Sequence, residues 1–265
     1  IDPGEMVIID DSGVRSTIYA EPEKIDKKLC VFEYIYFARP DSIIDGQSVH
    51  AARFEMGRVL ARESGFRGDV VISVPDSGTT AATGFSYEAG IPFAEGLIKN
   101  RYIGRTFIQP TQKQRDAAVK LKLSPVRSVV AGKSVIMVDD SIVRGTTSGK
   151  IVRLLRNAGA REIHVCISSP PITDPCYYGI DTSVRKELIS ATKSVDEICS
   201  FIGADSLHFI SIDGLRQCVS ALNPDHMCYA CFNNKYPVPE EDAELDEDDK
   251  IILERRQIAQ REREL

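Results

Sequence analysis

At 265 residues, with 43% hydrophobic and 27% charged residues, the chain is long enough for one large globular domain with appendages, and its composition excludes a disordered or fibrous class. No apolar run approaches the roughly 20 residues that cross a bilayer, and the opening IDPGEMVIIDDSG lacks the basic and apolar regions of a signal peptide, so no membrane partner is expected. Eight acids without a base fill residues 240–249, EEDAELDEDD; they account for the net charge of −6, leave the remainder slightly basic, and read as a solvated tail.

In chain order, EMVII (5–9) and VRSTIYA (14–20) predict a hairpin around the turn DDSG, and CVFEYIYFA (30–38) is β-rich and aromatic. SVHAARFEMGRVLARE (48–63) carries Val49, Ala52, Phe54, Met56, Val59 and Leu60 at helical spacing. The all-apolar VVISV (70–74) suits a strand buried on both faces, and a Gly/Ser/Thr loop then runs into a helix. Strands at SVIMV (134–138), IHVCIS (163–168) and LHFIS (207–211) alternate with helices around 147–157 and 195–203. That alternation predicts an α/β fold with a mostly parallel, doubly wound sheet. Residues 99–133 lack periodicity over a length that usually marks a functional loop, and the last residues, DDKIILERRQIAQREREL, read as a charged helix.

Two stretches share one design: VISVPDSGTTAATGFSYEAG and VIMVDDSIVRGTTSGKIVRLLRNAG are each apolar strand, acid, Ser/Gly/Thr loop and helix. Such a loop offers backbone N–H groups and hydroxyls to an anion, and the helix adds its positive pole. One loop alone is more often a plain strand ending; two on one sheet point to a ligand with phosphate at both ends. Asp139 and Asp140 then make sense, because ionised carboxylates accept from a ribose diol and hold magnesium beside phosphate oxygens. Residues 99–133 set nine Lys or Arg against the single acid Asp116, which favours a cationic flap over polyphosphate, with Lys99, Arg101 and Arg105 best placed.

Seven cysteines, an odd number, argue against a disulfide framework and for a reducing compartment. Cys228 and Cys231 form a CxxC that by itself is zinc, redox-active or neither, since a closed site needs two more ligands. A pI of about 5.4 and the lack of any recognition motif give no reason to expect nucleic-acid binding.

VIMVDDSIVRGTTS resembles the signature of type I phosphoribosyltransferases, which bind 5-phosphoribosyl 1-pyrophosphate. CVFEYIYFARPDS, VPDSGTTAA, KNRYIGRTFIQPTQ, SSPPITDPCYYGIDT and CYACF further resemble the transferase half of the glutamine phosphoribosylpyrophosphate amidotransferase family, from about residue 1 to about 235. The resemblance implies formation of 5-phosphoribosylamine from ammonia, the first committed step of purine synthesis. It implies that Asp139 and Asp140 hold the ribose hydroxyls and Mg2+, with Ser77 near the metal. Ser141, Ile142, Val143, Arg144, Gly145, Thr146, Thr147 and Ser148 would cradle the 5-phosphate, and Asp76, Ser77, Gly78, Thr79 and Thr80 the pyrophosphate. Lys99, Arg101, Tyr102 and Arg105 would close over the bound substrate, with no side chain acting as a nucleophile. It also implies that Cys30, Cys176, Cys228 and Cys231 ligate a [4Fe-4S] cluster, leaving Cys166, Cys199 and Cys218 as core thiols.

The same family carries an upstream glutaminase domain; with this sequence opening on Ile1, that domain is expected in a preceding portion of the protein, the alternative being a protein that depends on free ammonia. Residues 1–29 are therefore expected to be the tail of that domain, 30–239 the transferase domain and 240–265 the acidic tail and charged helix. The resemblance further implies a homotetramer inhibited by purine nucleotides, in the cytoplasm or, where a transit segment has been removed, a plastid. A purine salvage phosphoribosyltransferase explains the Asp–Asp loop but not the four cysteines. A nucleotide-sensing regulator without catalysis is the non-enzyme alternative.

Overall fold

The computed structural model describes residues 1–100, 123–180, 182 and 184–238. Residues 1–234 form one unit and 235–265 a second, of which 235–238 are described; all the described secondary structure lies in the first. The DDSG turn closes the expected hairpin, β1 (Glu5–Asp10) against β2 (Gly13–Ile18), with Gly13 at a φ of +114° that side-chain-bearing residues rarely adopt.

Residues 30–38 depart from the sequence expectation. Strand β3 is only Leu29–Cys30, and Glu33–Phe37 makes one π-helical turn in which the Ala38 N–H donates to the Glu33 carbonyl at 3.2 Å. β propensity is a preference for a half-buried pleated surface, and it yields where another group takes the backbone carbonyls. Here the Arg53 guanidinium does so, through Nε to the Tyr34 carbonyl at 2.8 Å and Nη2 to those of Ala38 at 2.8 Å and Glu33 at 3.3 Å.

A short hairpin, β4 (Ile43–Ile44) and β5 (Gln47–Ser48), leads into α1 (Val49–Ser64), whose first turn is capped by the Ser48 hydroxyl accepting from the Ala51 N–H at 3.2 Å. Then come β6 (Val70–Ser73), α2 (Thr79–Ala89), β7 (Leu97–Lys99) with its antiparallel partner β8 (Leu123–Pro125), and α3 (Arg127–Val130). The alternation continues through β9 (Ser134–Asp139), α4 (Thr146–Asn157), β10 (Glu162–Ile167), α5 (Val195–Ile202), β11 (Ser206–Phe209) and α6 (Ile212–Cys218). Last are β12 (Met227–Cys228), parallel to β3, and α7 (Ala230–Asn233). No helix among the described residues is long and apolar enough to cross a membrane.

The central sheet runs β11-β10-β9-β6, all parallel. Side chains alternate across it, as a strand period of two requires. Val71, Ile136, Val138 and Cys166 join the core under α1 and α2, which includes Met56, Leu60, Ala82 and Phe85. Val70, Ile72, Val135, Met137, Ile163 and Val165 join the opposite core, with Ile151 and Leu155 of α4 and Ile198 and Ile202 of α5. Both faces are covered, which explains why these strands read as continuous apolar runs. The sheet is doubly wound, as expected.

Helices α1 and α2 cross at two glycines. A Cβ on Gly57 would lie 1.8 Å from the Ala81 carbonyl oxygen, and one on Gly84 would lie 2.0 Å from that of Phe54. Backbone therefore meets backbone there, and this contact seats α2 under the loop that precedes it.

The sheet has a switch point. After β6 and α2 the chain returns on the outer side of β6, where Phe93 bridges Val71, whereas β9 continues to β10 on the other side. Loops leaving the carboxyl ends of β6 and β9 thus diverge and open a crevice, the usual ligand position in open α/β sheets.

Candidate active site

That crevice is a cleft of about 920 Å³. Its floor is the loop after β9, where Asp139 and Asp140 are each only 7% exposed. The Asp140 N–H donates to Asp139 Oδ1 at 2.9 Å, the Ser168 N–H donates to the Asp139 carbonyl at 3.0 Å, and the Ser141 hydroxyl donates to Asp140 Oδ1. Burial, and then the charge of Asp140, pushes the Asp139 carboxyl well above the usual carboxylate range. Two buried acids side by side favour a partner that supplies positive charge or hydroxyl donors.

The other side of the cleft is the loop after β6. Gly78 lets it lie directly on the acids' strand: a Cβ there would be 2.5 Å from the Val138 carbonyl oxygen and 3.1 Å from Asp139 Cα. Both loops run into helices whose amino ends carry no side-chain cap, Gly78 before α2 and Gly145 before α4. Helices α1, α5 and α6, by contrast, each open on a serine whose hydroxyl accepts from the first turn. An uncapped start leaves N–H groups for an outside acceptor and adds the positive end of the helix dipole.

Among the sequence-predicted residues, Asp76, Ser77, Lys99 and all of Asp139 to Ser148 line the cleft. Gly78, Thr79 and Thr80 sit at the start of α2 behind it, where Thr79 Oγ1 lies 3.2 Å from Ser73 Oγ. Two of the cations already have partners: Lys99 Nζ lies 2.7 Å from Asp76 Oδ2, and Arg144 Nε donates to Glu187 at 3.0 Å. An incoming polyphosphate would compete with those carboxylates. Arg101, Tyr102 and Arg105 lie outside the described residues, as does most of the expected flap.

Sequence reasoning missed one wall. Phe32, Tyr36, Phe37, Arg39 and Arg53 also line the cleft. Phe37 packs on Phe32 with ring centroids 5.9 Å apart, and Phe32 stacks on Phe232 at 5.6 Å. The legible signal was Arg53, a base on the stripe Val49, Ala52, Met56 that α1 otherwise buries.

The four expected cluster cysteines lie near one another. Cys30 and Cys228 are register partners on β3 and β12, and the Cys231 carbonyl accepts from the N–H groups of Thr173 at 3.0 Å and Asp174 at 3.2 Å. Burial pushes the Cys30 thiol up to about 11, with Cys228 and Cys176 adding to the rise. Cys231 is raised too, by burial and then by Cys30, Cys228 and Cys176 in turn, so all four sulfurs share one neighbourhood. Among the described residues no three His, Cys, Asp or Glu side chains close around a single-ion position. Cys231 also lines the cleft. Cys166 and Cys218 are buried elsewhere, and the Cys199 thiol donates to the Ala204 carbonyl at 3.4 Å.

The phosphoribosyl transferase domain model matches residues 55–199. Amidophosphoribosyltransferase of Bacillus subtilis is 55% identical over 240 residues, 89% of this chain and 50% of its own length. The chloroplastic amidophosphoribosyltransferase of Glycine max is 53% identical over 246 residues, 92% of this chain and 42% of its own. The solved glutamine phosphoribosylpyrophosphate amidotransferase from B. subtilis complexed with ADP and GMP matches with a TM-score of 0.80 and 54% identity, covering 90% of this chain and 53% of that one. The chain spans about half the length of the curated relatives it matches. A parallel sheet wound on both faces, two loops with uncapped helix starts flanking an acid pair at its switch point, and a domain match across those same elements converge on one answer: the chain belongs to the phosphoribosyl transferase domain family, with the type I fold.

Proposed function

We propose that the chain is the transferase part of an amidophosphoribosyltransferase, forming 5-phosphoribosylamine and pyrophosphate from 5-phosphoribosyl 1-pyrophosphate and ammonia. The observation that carries this reading is the placement of two uncapped helix starts on either side of a buried carboxylate pair, with 55% identity to an amidophosphoribosyltransferase in support. The loop Ser141 to Ser148 and the amino end of α4 hold the 5-phosphate, the loop Asp76 to Thr80 holds pyrophosphate, and Asp139 and Asp140 accept from the ribose hydroxyls.

Nitrogen forms its bond to the anomeric carbon as the carbon–oxygen bond to pyrophosphate breaks, and that electron pair leaves on the pyrophosphate oxygen. The positively charged amine then loses a proton to water. The chain contributes positioning and neutralisation of the leaving group, with Lys99, Arg101, Tyr102 and Arg105 acting on the pyrophosphate side. Asp139 and Asp140, with Ser77 near, form the magnesium position; magnesium, when bound, offsets pyrophosphate charge. Cys30, Cys176, Cys228 and Cys231 fit a [4Fe-4S] cluster in a structural role.

In the complete protein we place residues 1–29 with an upstream glutaminase domain that delivers ammonia, and assign homotetramer assembly and purine-nucleotide inhibition at the same phosphate loops. The solved relative's complex with ADP and GMP supports the inhibitor class. A reducing compartment, cytoplasm or plastid, suits the thiols.

Two assays test this. Given 5-phosphoribosyl 1-pyrophosphate, the chain is expected to release pyrophosphate with ammonium and without any purine base, and not to hydrolyse glutamine. A base requirement supports salvage instead, and nucleotide binding without turnover supports the regulator. Anaerobic preparations are expected to carry about four iron and four sulfide per chain. Cys231→Ser should lose both while Cys166→Ser keeps them; zinc without iron in the wild type sinks the cluster.

A further inference from the structure

Arg53 is the one buried base among the described residues, 4% exposed. The buried acids are Asp139, Asp140 and Asp174, and Asp174 has Arg185 at 3.6 Å. A buried unpaired charge is costly, and on packing grounds alone an apolar side chain would fill this place on α1. Something else holds arginine there.

One side of the guanidinium gives Nε and Nη2 to three carbonyls of the turn 33–38, an arrangement that needs a planar fork rather than a single donor. Arg53 also lines the cleft, and its Nη1 has no hydrogen-bond partner among the described residues. Burial lowers the Arg53 pKa, while Asp140 and then Glu33 act to keep it charged. Tyr36 and Phe37, carried on the same turn, line the same cleft as the acids.

We propose that Arg53 is a positioning residue of the active site: it fixes the turn that carries Tyr36 and Phe37, so that this aromatic wall keeps its place in the cleft that the buried acids also line and a sugar phosphate is held between two fixed surfaces. This rests on the transferase reading above. A plain fold brace makes a different prediction, since loss of folded protein lowers the rate per total protein but leaves KM and Kd untouched.

The test uses the full protein with free ammonium, and compares Arg53→Lys, which keeps the charge and loses the fork, with Arg53→Met, which loses both. KM for 5-phosphoribosyl 1-pyrophosphate, and the calorimetric Kd for its magnesium complex, are expected to rise about tenfold in R53K and about a hundredfold in R53M. If R53M does not fold, R53K alone decides. A wild type that binds while the folded variants keep its KM and Kd overturns this inference alone. A wild type that neither binds nor turns over the substrate overturns the transferase reading and this inference together.

Discussion

Asp140→Asn is expected to lower kcat/KM for 5-phosphoribosyl 1-pyrophosphate by about a thousandfold while leaving the fold intact. Asparagine matches aspartate in size, and the site is preorganised by backbone contacts at Asp139 that the change does not touch. What changes is chemistry. The carboxylate accepts from hydroxyls and attracts a cation, whereas the amide presents one oxygen and two donors. Hydrogen bonds to charged groups contribute about 1.5–3 kcal/mol each, so losing two such interactions costs about 4 kcal/mol, which is three powers of ten. One effect runs the other way: the Asp140 charge raises the pKa of Asp139, so removing it helps Asp139 ionise. That gain recovers part of one interaction and not the cation contact proposed for Asp140. Steady-state kinetics with a circular-dichroism melt check the outcome, and a variant within tenfold of wild type would remove Asp140 from the proposed role.

The second large effect is on stability. Gly57→Ala is expected to destabilise the chain by about 3 kcal/mol, because the added carbon would overlap the Ala81 carbonyl oxygen and crowd the Phe85 nitrogen at 2.7 Å. Neither obstacle is a side chain that can rotate away, so the helices must part. Propensity alone would favour alanine over glycine by about 1 kcal/mol inside a helix, so the sign of the result separates packing from propensity. Gly149→Ala is the control: its Cβ would meet nothing closer than Ile202 Cα at 3.5 Å, and the same propensity gain should leave it neutral or slightly stabilised. Urea midpoints measure both. A wild-type midpoint in G57A would show that the crossing relaxes without cost. Because α2 begins at the loop holding Ser77 and Gly78, parting the helices should also weaken phosphate binding.

Sheet strands and the Gly/Ser/Thr loops that follow them were readable from short stretches for a local reason. A run such as SVIMVDD carries its burial, its direction and its chemistry within a few residues, and the structure returns it as strand β9 ending on Asp139. The helices at 48–63 and around 147–157 were legible from their spacing, and the structure adds that Ser48 caps α1 while Gly145 leaves α4 uncapped. The stretch 30–38 was misread as β because its conformation depends on Arg53, which lies 19 residues past Tyr34. Propensity has no access to a guanidinium that arrives from another element.

By itself, the sequence determined the alternating α/β order, the doubly wound sheet, the two Gly/Ser/Thr loops and the position of the acid pair, since each is written in contiguous residues whose burial and hydrogen bonding are locally decided. Tertiary structure alone decided where these meet. It set the switch point between β6 and β9, laid Gly78 against Val138, brought Cys30 beside Cys228, and turned an aromatic segment into a cleft wall pinned by Arg53. Those are contacts between residues far apart in the chain, and their energies depend on packing distances that no local pattern encodes.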